Sequence, residues 1–203
     1  MDTLSQLADK YKTDKGLWHH SYTPIYHSYF EKLRNDNLTL LEIGIGGYEY
    51  PDKGGESLRM WADYFPNAKI VGIDIHEKTI PLPDNVMIAK GSQIDMLFLS
   101  DIIQSIGNPD IIIDDGSHIN EHIIQSFRWL FPNLKSGGVY VVEDTETSYW
   151  EDYGDGIPPN LPTTMNYFKK LADTLNSPIF PLLNDFNIKS IHFYKGLIFI
   201  FKL

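Results

Sequence analysis

The sequence predicts an α/β fold: a mostly parallel, seven-stranded sheet with helices on both faces that ends in an antiparallel hairpin. Three observations predict it. Short, continuous aliphatic runs alternate with longer amphipathic segments, as parallel strands buried on both faces do. Residues 189–203, KSIHFYKGLIFIFKL, hold two apolar runs around Lys195-Gly196, a tight-turn pair. The aliphatic runs also end in polar groups, and ligands of open parallel sheets collect at the carboxyl ends of the strands.

The elements follow in order. Residues 3–11 read as a short helix. A second helix starts at Thr23-Pro24, with Thr23 as the cap and Pro24 in the first turn, and runs to about Arg34. LTLLEIG (38–44) is a buried strand, GESLRMWADYF (55–65) a helix and AKIVGIDI (68–75) a strand. NVMIAKG (85–91) is a shorter strand and IDMLFLSDIIQSI (94–106) a helix. DIIIDD (110–115) is a strand, NEHIIQSFRWLF (120–131) a helix and GGVYVVED (137–144) a strand. TTMNYFKKLADTL (163–175) has helical signals, and the Gly- and Pro-rich tract 149–162 reads as a long functional loop. The 203 residues are expected to form one domain, with 1–36 a helical segment or lid and 37–203 the core. The aromatic stretch from Trp18 to Tyr29 is either ordinary helix packing or a cover over the site.

Composition narrows the function. Hydrophobic residues make up 42% and charged residues 22%, ordinary for a soluble protein. A net charge of −10 provides no cationic footprint for nucleic acid or an anionic membrane. The absence of cysteine excludes disulfides and thiolate metal sites. The polar N-terminus has no apolar signal core, and a cytoplasmic location is expected.

The strand ends carry the chemistry. The first delivers Glu42 and a loop with Gly44, Gly46 and Gly47. Its spacing departs from G-x-G-x-x-G, and a long loop separates it from the next helix. That suits a nucleoside better than a pyrophosphate, unless the glycines only build a turn. Asp74, ending the second strand, is placed to accept hydrogen bonds from ribose hydroxyls. Gln93 and Asp95 follow the third. Asp115, Glu143 and Asp144 end the fourth and fifth. Converging carboxylates repel unless a cation or a proton joins them, and all-oxygen ligation points to Mg2+, with Mn2+ or Ca2+ as alternatives. Strand alternation aims Asp114 away from Asp115, so one of that pair is a ligand. The bland alternatives are helix caps and lysine partners.

His118 follows Asp115 by one turn and is placed to take a proton near neutral pH, or to cap a helix. His122 reads as structural. The run HINEH also fits H-x-x-E-H, a two-histidine zinc pattern with a glutamate base, which would leave the flanking carboxylates without a role.

Together, LEIGIGGYEYPDKGGESLRMWADYFPNAKIVGIDIHEK, IIIDDGSHINEH, GGVYVVEDTETSYW and the N-terminal YKTDKGLWHHSYTPIY resemble one family over about residues 10–153. It is that of the metal-dependent, S-adenosylmethionine-using sugar O-methyltransferases of the mycinamicin and demethylmacrocin type. The resemblance implies a class I methyltransferase fold with a Rossmann-like sheet. It implies Mg2+ on Asp115, Glu143 and Asp144, and His118 as general base. It implies S-adenosylmethionine on the glycine loop, Glu42 and Asp74, with Ser57, Gln93 and Asp95 as further contacts. The acceptor would be a small sugar-containing molecule: a glycoside, a glycan or a sugar nucleotide. A homo-oligomer is expected. The macrolide enzymes also carry an N-terminal domain without a counterpart in these residues. An NAD-binding oxidoreductase, a zinc hydrolase and a non-catalytic sugar-binding protein are the competing readings.

Overall fold

The computed structural model describes residues 3–154, 163–175 and 186–203. Residues 155–162 of the expected functional loop therefore lie outside the described residues. Two compact units are present, Met1–Ser92 and Gln93–Leu203.

In the first unit, helix α1 (Leu4–Tyr11) starts where the sequence places it. Thr3 accepts the Gln6 N–H, and the Gln6 side chain returns to the Thr3 N–H, a complete capping box. Helix α2 (Thr23–Phe30) corrects the expected cap. Tyr22 holds the cap position without a side-chain capping hydrogen bond, and Thr23 is already helical. The Thr23 hydroxyl is buried and pairs with Ser5 Oγ at 2.8 Å, so it joins α1 to α2 instead of capping. The helix tightens to a 3-10 turn at Glu31–Leu33. Strand β1 (Thr39–Ile43), helix α3 (Glu56–Tyr64), β2 (Lys69–Asp74) and β3 (Val86–Lys90) follow. The strands pair in parallel, β3 with β2 and β2 with β1. Tyr26, Phe30, Trp61, Tyr64 and Phe65 are all buried and make edge-on, tilted and stacked contacts that lock α2 to α3.

The second unit holds α4 (Met96–Ile106), β4 (Ile111–Asp114), α5 (Asn120–Asn133), β5 (Val139–Val142), α6 (Thr164–Thr174), β6 (Ile188–Tyr194) and β7 (Leu197–Lys202). Strand β4 pairs with β5 in parallel, β5 with β7 antiparallel, and β7 with β6 across the Lys195-Gly196 turn. Gly196 has φ 76°, the left-handed conformation that the hairpin needs. Every residue of β4 and β5 is buried, in keeping with their unbroken aliphatic runs. Among the described residues no helix is long and apolar enough to cross a membrane.

Candidate active site

The first unit carries the glycine loop. Gly44, Gly46 and Gly47 follow β1 with φ of 78°, 73° and 78°. They are needed for two different reasons. A Cβ on Gly47 would overlap the carbonyl of Lys53 and lie 2.6 Å from Gly54 N. A Cβ on Gly46 would meet only Gly54 Cα, at 3.9 Å. So Gly47 is glycine because residues 48–54 fold back onto it, while Gly46 leaves its outer side open to a ligand. Gly55 N–H closes the loop on Ile45 O at 2.7 Å. Gly47→Ala should therefore displace the loop, whereas Gly46→Ala should keep the loop's fold at about 1–2 kcal/mol of backbone strain. Urea unfolding and hydrogen exchange of residues 44–55 in both variants check this.

Asp74 ends β2 half-exposed. One oxygen accepts the Ile45 N–H at 3.2 Å and the other the His76 N–H at 2.8 Å, which fixes the carboxylate beside the loop. Glu42 and Ser57, expected at the cofactor, are bonded to each other. Both are buried, and Ser57 Oγ donates to Glu42 Oε2 at 2.9 Å. They face each other across the two ends of the loop and support it from within.

In the second unit, ligand atoms of Asp115, His118 and Asp144 all lie within 4.8 Å of one another. His118 Nε2 is 3.9 Å from Asp115 Oδ1 and 3.8 Å from Asp144 Oδ2, and each side chain is about four-fifths buried. Both His118 (φ 57°) and Asp144 (φ 50°) hold left-handed backbones that ordinary residues avoid. Strain of this kind persists where the surroundings enforce a functional geometry. His118 Nδ1 is buried without a hydrogen-bond partner among the described residues. Two half-enclosed carboxylates converging beside an imidazole fit a hard divalent cation. Glu143 does not join this cluster. It is buried after β5, and its N–H is bonded to Asp114 O at 3.0 Å.

The neighbouring polar residues have other work. Asp114 points into the unit and accepts from Ser126 Oγ at 2.7 Å, Tyr140 OH at 2.8 Å and Gln93 Nε2 at 3.2 Å. Burial pushes its carboxyl above the usual carboxylate range, against the pull of the Ser126 and Tyr140 hydrogen bonds. Gln93, expected to contact the cofactor, is spent at both ends of its amide. Its Nε2 donates to Asp114 and Ser126, and its Oε1 accepts the Ser117 N–H at 2.8 Å. It thereby fixes the turn that presents His118. Asp95, also expected at the cofactor, caps α4 through the N–H groups of Leu97 and Phe98. His122 Nδ1 pairs with Ser117 Oγ at 2.9 Å, and Glu121 accepts from Gln125. Neither belongs to a three-ligand cluster among the described residues, which removes the geometric basis of the zinc pattern.

Sequence reasoning missed Asn120. Its Nδ2 donates to Tyr153 O at 3.2 Å and its Oδ1 accepts the Thr164 N–H at 2.7 Å. That holds the 148–154 segment and the start of α6 near His118, whose ring meets Tyr153 edge-on at 6.2 Å. An amide at a helix start carries no signal of such long-range bonding.

No family model matches the chain. Individual proteins do. Mycinamicin VI 2''-O-methyltransferase of Micromonospora griseorubida is 39% identical over 208 residues, 98% of this chain and 52% of that protein. The chain belongs to the family of these sugar O-methyltransferases. The 8-demethyl-8-alpha-L-rhamnosyl tetracenomycin-C 2'-O-methyltransferase of Streptomyces olivaceus is 38% identical over 98% of the chain. A solved methyltransferase of mycinamycin biosynthesis, in complex with Mg, SAH and mycinamycin VI, superposes with a TM-score of 0.91 at 38% identity. That match covers 99% of this chain and 55% of the other, and the fold is the class I methyltransferase fold of these O-methyltransferases. The chain spans about half the length of the curated relatives it matches.

Proposed function

We propose that this sugar O-methyltransferase relative transfers a methyl group from S-adenosylmethionine to a hydroxyl of a sugar-containing small molecule, with Mg2+ as cofactor. The observation that carries the reading is the Asp115, His118 and Asp144 cluster, in a chain 39% identical over 98% of its length to a sugar O-methyltransferase. The glycine loop and Asp74 would bind the nucleoside, with Gly46 offering backbone approach. Asp115 and Asp144 would hold the cation, and Glu143, buried next to Asp144 and outside the cluster, would have to turn its carboxylate to join them. When bound, the cation supplies Lewis-acid polarisation and charge neutralisation.

His118 is the base. Nε2 removes the proton of the acceptor hydroxyl, and the oxygen attacks the sulfonium methyl. A carbon–oxygen bond forms as the carbon–sulfur bond breaks and its electron pair stays on sulfur. S-Adenosylhomocysteine leaves, and the imidazolium returns its proton to solvent. Acceptors with neighbouring hydroxyls suit a site built around two convergent carboxylates. The same reading makes the protein a cytoplasmic homo-oligomer acting on a glycoside, a glycan or a sugar nucleotide. A charge of −10 supports the absence of nucleic-acid and membrane partners.

Thermal unfolding tests the reading. S-Adenosylhomocysteine at a hundred times its dissociation constant should stabilise the chain by about 2.7 kcal/mol. A response to NAD and none to the homocysteine nucleoside would instead identify an oxidoreductase.

A further inference from the structure

Lys15 is a fully buried lysine outside any regular element. Lysine is among the residues least often buried, and it stays charged there only with a counter-charge. Lys15 Nζ lies 3.4 Å from Glu42 Oε1, and both side chains are at most 1% exposed. The other oxygen of Glu42 accepts from Ser57 Oγ. Glu42 precedes the glycine loop and Ser57 lies in the first turn of α3 beyond it, so one carboxylate ties both ends of the loop together. The backbone of Lys15 works at a second place. Its carbonyl accepts the N–H groups of Tyr22 at 3.0 Å and Thr23 at 3.1 Å, which closes the segment 16–22 and sets the entry to α2. That segment presents Leu17 and Trp18, both more than half exposed.

We propose that Lys15 is a positioning residue, whose buried ammonium fixes the Glu42 carboxylate and so couples the 16–22 segment to the shape of the glycine loop. Buried ion pairs can often be replaced by apolar pairs of similar volume at no loss of stability. What the charged pair adds is direction: Glu42 is held so that its second oxygen meets Ser57. The functional consequence rests on the reading that this loop binds S-adenosylmethionine.

Hydrogen–deuterium exchange of the full chain tests the tether without any ligand. In Lys15→Met, amides of residues 16–23 and 44–57 should exchange faster, while β2 keeps wild-type protection. S-Adenosylhomocysteine should bind about 5–150-fold more weakly, the range of coupling between linked sites. Turnover at saturating S-adenosylmethionine should stay near wild type, a split that general destabilisation would not produce. The Lys15→Met/Glu42→Gln double variant leaves no buried charge alone and should fold even where the single variant does not. Faster loop exchange in the double variant supports the proposal. A folded variant of either kind with wild-type loop exchange and nucleoside affinity overturns it. If the wild-type chain fails to bind the nucleoside, the cofactor reading falls, and loop exchange alone decides the tether.

Discussion

Replacing His118 with alanine is expected to lower kcat by about 10²–10⁴-fold, the usual contribution of a positioned general base. That equals roughly 2.7–5.5 kcal/mol of transition-state stabilisation. Three features support so large an effect. His118 Nε2 faces Asp115 and Asp144 at 3.9 and 3.8 Å, beside the carboxylates that on the proposed reading hold the cation and the acceptor hydroxyl. Its backbone is held at φ 57°, a conformation maintained by the Gln93 bond to Ser117 and by Asn120 at the start of α5. Its ring is about four-fifths buried, which limits replacement by water. Affinity for S-adenosylhomocysteine should be unchanged, because the residues proposed to bind the nucleoside, the glycine loop and Asp74, are left intact. Activation by Mg2+ should persist in the alanine variant and be lost in Asp144→Ala. Steady-state kinetics against a metal series separates the roles. If His118→Ala weakens the Mg2+ requirement as Asp144→Ala does, the histidine is a ligand and the base lies elsewhere.

The elements were legible in the sequence because each depends on local pattern. Aliphatic runs bounded by Gly, Asp and Asn locate all seven strands to within one or two residues, as at β1, read as 38–44 and found at Thr39–Ile43. The same locality limits what can be said of the site. Position places Asp115 and Asp144 at strand ends, and alternation separates Asp115 from Asp114. It does not say whether a polar side chain turns outward to a ligand or inward to a partner. Glu42, Ser57 and Gln93 all turn inward, because Lys15, Ser117 and Asp114 are brought to them by tertiary structure. Asp95 shows local chemistry at work: an aspartate just before an apolar helix caps it, and its Oδ1 accepts two N–H groups of that helix. Thr23 fails in the opposite direction, its hydroxyl drawn from the cap by Ser5 of another helix.

Asp114→Ala should destabilise the protein by about 3–5 kcal/mol, a large part of the roughly 5–15 kcal/mol that holds an ordinary domain folded. The carboxylate is 1% exposed and accepts from Ser126, Tyr140 and Gln93. Removing it leaves the three donors only longer alternatives, Ile123 O for Ser126 at 3.1 Å and Ser126 Oγ for Gln93 at 3.3 Å and Tyr140 at 3.4 Å, at up to about 1–3 kcal/mol each, less whatever an entering water restores. Tyr140 is fully buried, so its hydroxyl has no route to bulk solvent. Asp114→Asn keeps the volume and one carbonyl oxygen and turns the other acceptor into a donor, so its cost should fall nearer 1–3 kcal/mol. Urea midpoints of the two variants check the order. The damage should also reach chemistry. Gln93 bridges Asp114 to the Ser117 N–H, and Ser117 precedes His118 in the turn that gives the imidazole its direction. A folded Asp114→Asn chain should thus bind S-adenosylhomocysteine normally yet turn over more slowly. Destabilisation below about 1 kcal/mol in Asp114→Ala, the range of an exposed polar change, would mean that the network forms without its centre.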